Sequence, residues 1–289
     1  MDAENNYQVR TMLRGELDTA LQWAAREGWN PGLHDAHCFY AADPQGFLVG
    51  LLDGVPIASI SVVRYGSDYG FLGLYIVAPE HRGKGYGWAL WQAGLERLGQ
   101  RAVGLDGVLA QQGNYRRSGF VLEHRNIRYA TAGSAPHGSP DAAEHSGLVD
   151  LRGLAAAQVR DYDRPFFPAG RDTFLQAWLH APGHHALGMM GGDRLAAYGV
   201  IRPCLSGYKI GPLFADRAEQ AQTVLQALVA RVPAGSPVFL DVPETNAAAV
   251  QLACSLGMAP MFETARMYKG TPALPDMGRT FGITSFELG

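Results

Sequence analysis

Residues 72–90 read LGLYIVAPEHRGKGYGWAL. Within them Arg82, Gly83, Lys84, Gly85, Tyr86 and Gly87 form a loop between two apolar stretches. Glycine has no Cβ, so the backbone there can approach a ligand closely and take positive φ. Several N–H groups can then converge at a helix start, where the helix dipole favours an anion. Arg82 and Lys84 add positive charge beside them. A pyrophosphate is the group such a corner receives best. The plain alternative is a turn that merely joins strand to helix; the apolar strand before it, the amphipathic helix after it and the two cations favour the phosphate reading. A Walker loop would need Gly-x-x-x-x-Gly-Lys-Ser/Thr, which is absent. A dinucleotide fingerprint would need Gly-x-Gly-x-x-Gly in a parallel βαβ unit, whereas the spacing here is Gly-x-Gly-x-Gly after an expected hairpin.

The elements that must position this loop follow from periodicity. Strands are expected at YQVRTML, on both sides of the Asp53-Gly54 turn in GFLVGLLDGVPIASISVV, and at YGFLGLYIV and AVGLDGVLA. Helices are expected over 14–27 and 87–98, where apolar residues recur at helical spacing. A short helix at NYRRSG and a strand pair from Phe120 to Tyr129 complete the first half. Residues 131–147, TAGSAPHGSPDAAEHSG, lack large apolar side chains and read as a linker. They divide the 289 residues into 1–130 and 148–289, each of ordinary domain size.

The second half repeats the order of the first, with strands at HHALGMMGG, RLAAYGVIRPC, GYKIGPLFA, PVFLDVP and FETARMYKG, and helices over 216–231 and at NAAAVQLACSLGM. Local strings recur too: GLDGV with LDVP, RRSGF with CSLGM, and IRYA with RMYKG. The fold class expected is α/β (α+β): two tandem modules, each a mixed, mostly antiparallel sheet flanked by helices. A net charge of -3 with 18% charged residues gives no basic surface for nucleic acid and no membrane-binding stripe. Cys38, Cys204 and Cys254 are widely spaced and odd in number, which fits a reducing cytoplasm rather than a disulfide scaffold. The polar start MDAENNYQVR is unlike a signal peptide, and no apolar run approaches the ~18 residues of a membrane span.

The stretch VAPEHRGKGYGWAL resembles the signature of the GNAT acetyltransferase superfamily, Gln/Arg-x-x-Gly-x-Gly/Ala, with Arg82, Gly85 and Gly87 at its fixed positions. NYRRSGF is similar to the family's later Tyr-x-x-x-Gly-Phe element. The likeness covers residues 7–130 in element order, and the second half follows the same order with weaker motifs. It implies that acetyl-CoA lies in a V-shaped opening between the strand before the loop and the next strand. Backbone at Ile76 and Val77 would pair with the pantetheine arm, and the N–H groups from Arg82 to Gly87 would hold the pyrophosphate. Tyr115, four residues before Gly119, would be the general acid that protonates the departing thiolate; the alternative is a core tyrosine.

Many family members carry a glutamate base on the strand before the loop. Here Phe71, Gly73 and Tyr75 occupy the alternate positions, so deprotonation falls to water or to a carboxylate from elsewhere, with Asp106 and Asp35 as candidates. Asp106 has a counterpart, Asp241, in the half with no apparent chemistry, so a shared structural role competes. The loop EGWNPGLHD would cover the acceptor, bringing Trp29, Asn30 and Asp35 to the amine, or would serve as a packing plug. Trp88 is expected to pack on the sheet rather than over the cofactor. HAPGHH has no Cys or carboxylate at ligand spacing, so His180, His184 and His185 read as surface residues and no metal is expected.

Where the second half should carry the glycine loop it reads PLFADRAEQAQTVL, and Ala253 stands opposite Tyr115. That half is therefore expected not to bind acetyl-CoA. Asp161, Asp163, Arg164, Phe166 and Arg171 could face the acceptor pocket or pack at an interface. The implied function is acetyl transfer from acetyl-CoA to the amine of a small molecule, by direct attack and without a covalent enzyme intermediate. The competing class is a non-catalytic acyl-CoA sensor, favoured by the missing strand glutamate.

Overall fold

The computed structural model describes residues 6–131 and 147–289. Most of the expected linker, residues 132–146, lies outside the described residues. The first half runs β1 (Tyr7–Thr11), α1 (Glu16–Arg26), α2 (Asp35–Ala42), β2 (Phe47–Leu52), β3 (Val55–Tyr65), β4 (Tyr69–Val77), α3 (Tyr86–Leu98), β5 (Ala102–Val108), α4 (Gln112–Arg117) and β6 (Val121–Thr131). The second runs β7 (Leu148–Asp150), α5 (Ala156–Asp163), α6 (Asp172–His180), β8 (His185–Gly191), β9 (Arg194–Pro203), β10 (Tyr208–Ala215), α7 (Ala218–Val229), β11 (Val238–Pro243), α8 (Ala247–Ser255), β12 (Met258–Lys269) and β13 (Thr280–Gly282). The Asp53-Gly54 turn joins β2 to β3 with both residues at positive φ, 50° and 81°, the conformation a two-residue hairpin requires. Phe120 to Tyr129, expected as a strand pair, instead gives the single strand β6 from Val121, with Asn126 kept in it by pairing to Pro243 and Thr264 on its two sides. No helix among the described residues is long and apolar enough to cross a membrane.

All the strands belong to one sheet, in the order β1-β2-β3-β4-β5-β12-β6-β11-β10-β9-β8-β7, with β13 added on β10. The two halves have exchanged their last strands. β12, from the second half, pairs with β5 of the first, while β6, from the first, pairs with β11 of the second. β6 and β12 also pair with each other. Period-2 alternation says which face a strand buries but not which strand lies beside it, so this exchange is invisible in the pattern.

The exchange creates two equivalent buried ion pairs. Arg266 on β12 grips Asp106 on β5 with bonds of 3.0 and 2.6 Å, and Arg128 on β6 grips Asp241 on β11 with bonds of 2.6 and 2.8 Å. Two further buried pairs are Arg202 with Asp35, at 3.0 Å, and Arg171 with Asp163, at 2.8 and 2.7 Å. Arg202–Asp35 joins the halves directly.

Two histidines are buried without their charge. Burial, then the nearby Arg266, lowers the pKa of His124 to about 4; burial, then Arg202, does the same for His184. His184 is thus a core residue, its Nδ1 2.8 Å from the Trp178 carbonyl oxygen, and not the surface histidine the sequence suggested. An unfolded histidine titrates near 6.5, so between about pH 6.5 and 4 the unfolded chain binds protons that the folded chain refuses. Stability should therefore fall with pH across that window, by roughly 2 kcal/mol per histidine at pH 5. Urea unfolding at pH 7 and pH 5 checks this. Replacing both histidines with Gln should flatten the dependence, and an unchanged slope would refute it.

Candidate active site

The site is built where β4 and β5 part. They run parallel and paired from Tyr69↔Ala102 to Leu72↔Leu105, and no pair follows. Leu74, the second residue beyond the split, sits at φ 45°, a conformation costing an L-residue about 1–2 kcal/mol. The register of β3 on β4 slips at the same place, between Ser59 and Ser61. The diverging backbones open a cleft of about 620 Å³, within the range of small-molecule sites. Ile76 and Val77 line one wall, Gly107 and Val108 the other, and Arg82, Gly83, Gly85 and Gly87 one end.

The glycine loop has the form the sequence suggested. Gly83 and Gly85 are at φ 75° and 88°, and open space surrounds the place where a Cβ would be. Gly85 caps α3 in the left-handed conformation, and no side chain caps that helix. The N–H groups of Gly85, Gly87 and Trp88 therefore have no intrahelical partner, and all three residues line the cleft end. Arg82 is committed elsewhere: its Nε donates to the Val77 carbonyl at 2.8 Å and its Nη2 to Glu27, tying the loop to α1. Lys84 and Tyr86 do not line the cleft. Tyr86 is buried and its carbonyl accepts from the Tyr7 hydroxyl at 3.1 Å. Trp88 is 56% exposed at the cleft edge, not packed on the sheet.

Tyr115 lines the cleft from α4. Its ring stacks on Trp91, with centroids 5.6 Å apart, and lies so close to β5 that a Cβ on Gly107 would come within 2.1 Å of it. Burial, with Tyr75 adding to it, pushes its phenol well above the ordinary value.

Asp106, expected as a base, is closely engaged by partners. It lines the cleft, but Arg266 holds both its oxygens and Asn126 donates a third bond at 2.8 Å. Its counterpart Asp241 is held in the same way by Arg128. Of the three residues expected at the acceptor, only Trp29 lines the cleft. Asn30 and Ser206 exchange two bonds of 2.9 Å. Asp35 is wholly buried; although burial opposes its charge, Arg202 and Lys209 outweigh it and hold the carboxyl below its usual range. Both are staples between halves rather than substrate contacts. Asp163, Phe166 and Arg171 are buried among residues of the second half and, with Asp161 and Arg164, are absent from the cleft wall.

The sequence reading missed the chain's last ten residues, Thr280–Gly289, which are all buried. In the second half β10 and β11 part just as β4 and β5 do, after Ile210↔Leu240. There β13 fills the opening: Gly282 pairs with Leu213, and the Ile283 N–H bonds the Asp241 carbonyl at 2.9 Å. The tail then crosses Gly211, where a Cβ would lie 2.4 Å from the Thr284 oxygen, and Gly73, where it would lie 2.2 Å from the Glu287 oxygen. The two glycines are equivalent positions of the two modules. Phe286 and Glu287 thereby join Phe262 and Thr264 of β12 in the wall of the first cleft.

Comparison with known proteins agrees with this geometry. The model of the Acetyltransferase (GNAT) family matches residues 15–120, and that of the Acetyltransferase (GNAT) domain matches residues 159–282. The holothin acyltransferase of Pseudoalteromonas sp. (strain SANK 73390) is 31% identical over 274 residues, 95% of this chain and 92% of that protein. The chain belongs to the GNAT acetyltransferase family. It is an acyltransferase with two GNAT modules in tandem. A solved protein from Pyrococcus horikoshii superposes with a TM-score of 0.82 over 100% of this chain and 99% of that one, at 20% identity. A tandem GNAT protein from the clavulanic acid biosynthesis pathway superposes with a TM-score of 0.61 over 94% and 100%, at 14% identity. These two likenesses concern the fold.

Proposed function

We propose that this GNAT enzyme transfers an acetyl group from acetyl-CoA to the primary amine of a small, flat, apolar molecule, at the first module only. The observation that carries this reading is one continuous cleft. It runs from a glycine-lined helix start, past the unpaired edges of β4 and β5, to a wall holding Tyr115, Trp29, Phe262 and Phe286. The residues fit an acyl-CoA substrate. The N–H groups at Gly85, Gly87 and Trp88 suit the pyrophosphate, and the free edge at Ile76 and Val77 suits an amide-bearing arm. Tyr115, protonated at neutral pH, supplies the proton that the leaving sulfur needs. Aromatic walls suit a planar acceptor. The second module has no glycine loop, and its equivalent opening is closed by β13, which supports a supporting rather than a catalytic role for it.

The relative at 31% identity is a holothin acyltransferase, so holothin heads the acceptors to try. The full-length protein is given acetyl-CoA with holothin, 2-phenylethylamine, amino sugars and α-amino acids in turn, and thiol release is followed. Release well above background with a planar or aromatic amine is expected. Tight acetyl-CoA binding with no release for any amine would refute amine acetylation and fit a sensor.

A further inference from the structure

Three acidic residues line the cleft: Glu27, Asp106 and Glu287. Glu27 is taken by Arg82, and Asp106 by Arg266 and Asn126. Glu287 differs. It is 2% exposed, and among the described residues neither of its carboxylate oxygens has a hydrogen-bond partner. A buried carboxylate without a donor is costly, and such groups are ordinarily satisfied. A ligand ammonium is the donor this cleft can admit.

The surroundings account for how the group is kept there. Arg128 on β6, Arg202 on β9 and Lys209 on β10 all feel the charge of Glu287. Arg128 and Arg202 are matched by Asp241 and Asp35, while Lys209, among the described residues, donates only to the carbonyls of Trp29 and Asn30, at 3.4 and 3.0 Å. Glu287 supplies the third anion against these three cations. Asp106, which Arg266 holds, lines the same cleft, as do Tyr75 and Tyr115. The Glu287 backbone is fixed by close passage over Gly73, the position on β4 where no side chain fits.

We infer that Glu287, delivered by the C-terminal tail of the second module, is the general base for the acceptor amine of the first. This rests on the acyl-transfer reading above. The carboxylate takes one proton from R–NH3+. The freed R–NH2 attacks the thioester carbon, the C–N bond forms, and the C–S bond breaks with its electron pair leaving on sulfur. Tyr115 gives its proton to that sulfur and recovers one from the nitrogen, which becomes the amide. Glu287 releases its proton to water. The sum is ammonium plus thioester giving amide, thiol and one proton.

The test is Glu287→Gln in the full-length enzyme, with 2-phenylethylamine as acceptor. Acetyl-CoA affinity should stay within about twofold, while kcat/KM at pH 7 should fall about 100–1000-fold, the lower part of the usual range for a lost acid–base group. The loss should shrink as pH rises toward the amine pKa, where neutral amine is plentiful. Glu287→Asp should keep the shape of the wild-type pH profile even if slower. A profile for Glu287→Gln parallel to wild type at every pH, or an unchanged rate, would overturn the assignment and leave a structural role. Should wild type acetylate no amine, the acyl-transfer reading fails instead. Calorimetry of 2-phenylethylammonium with the CoA-bound protein then still judges Glu287, since Gln must weaken that binding.

Discussion

Replacing Tyr115 by Phe should lower turnover by about 10²–10³-fold while leaving acetyl-CoA affinity within about twofold. The ring is held by its stack on Trp91 and by its seat against Gly107, and neither contact uses the hydroxyl. Phenylalanine therefore fills the same space, and the change isolates the proton. Burial raises the Tyr115 phenol, so it stays protonated through neutral and mildly alkaline pH. Wild-type kcat should consequently show no alkaline loss below about pH 10 that belongs to this group. Single-turnover thioester cleavage, alongside calorimetric titration of acetyl-CoA, reads both quantities. Equal turnover in the two proteins would remove Tyr115 from the proton path, and an equal loss of affinity would make it a binding residue.

Arg266→Met should destabilise the fold by roughly 3–5 kcal/mol, the usual consequence of leaving a buried charge without its partner. Among the described residues, Asp106 would keep only the Asn126 amide as a donor. Arg266 also lies over the Phe71 ring, its Cζ 5.1 Å from the centroid, so packing is lost as well. Adding Asp106→Leu to Arg266→Met should recover most of the loss, because an apolar pair can replace a buried ion pair at little cost. By contrast, Arg14→Ala, which breaks the exposed pair with Asp18, should cost no more than about 0.5 kcal/mol. The midpoint of urea unfolding reads all three. Wild-type stability in Arg266→Met would show that the strand exchange does not depend on its ion pairs.

The parts of this site that are local in sequence were legible in it. The glycine loop, the Asp53-Gly54 hairpin and the Tyr115 helix each depend on neighbours a few residues away, and their residue types specify conformation directly. The internal repeat was legible too, and it correctly set Asp106 beside Asp241. What escaped depends on distant pairing. Nothing in β6 or β12 announces a neighbour from the other half, and TSFELG is too short and mixed for periodicity to place. One trace was present. Gly73 and Gly211 stand at equivalent points of the repeat, each where a strand should carry a side chain. A matched pair of such gaps signals something passing overhead.

The strand exchange bears on how the chain is made. When the ribosome has delivered β1 to β6, the edge of β5 still lacks its neighbour, which arrives with residues 258–269. The wall that would greet the acceptor comes later still, with Phe286 and Glu287. A nascent protein that has reached β6 therefore has the glycine loop but lacks part of the cleft wall until residues 258–287 have been made.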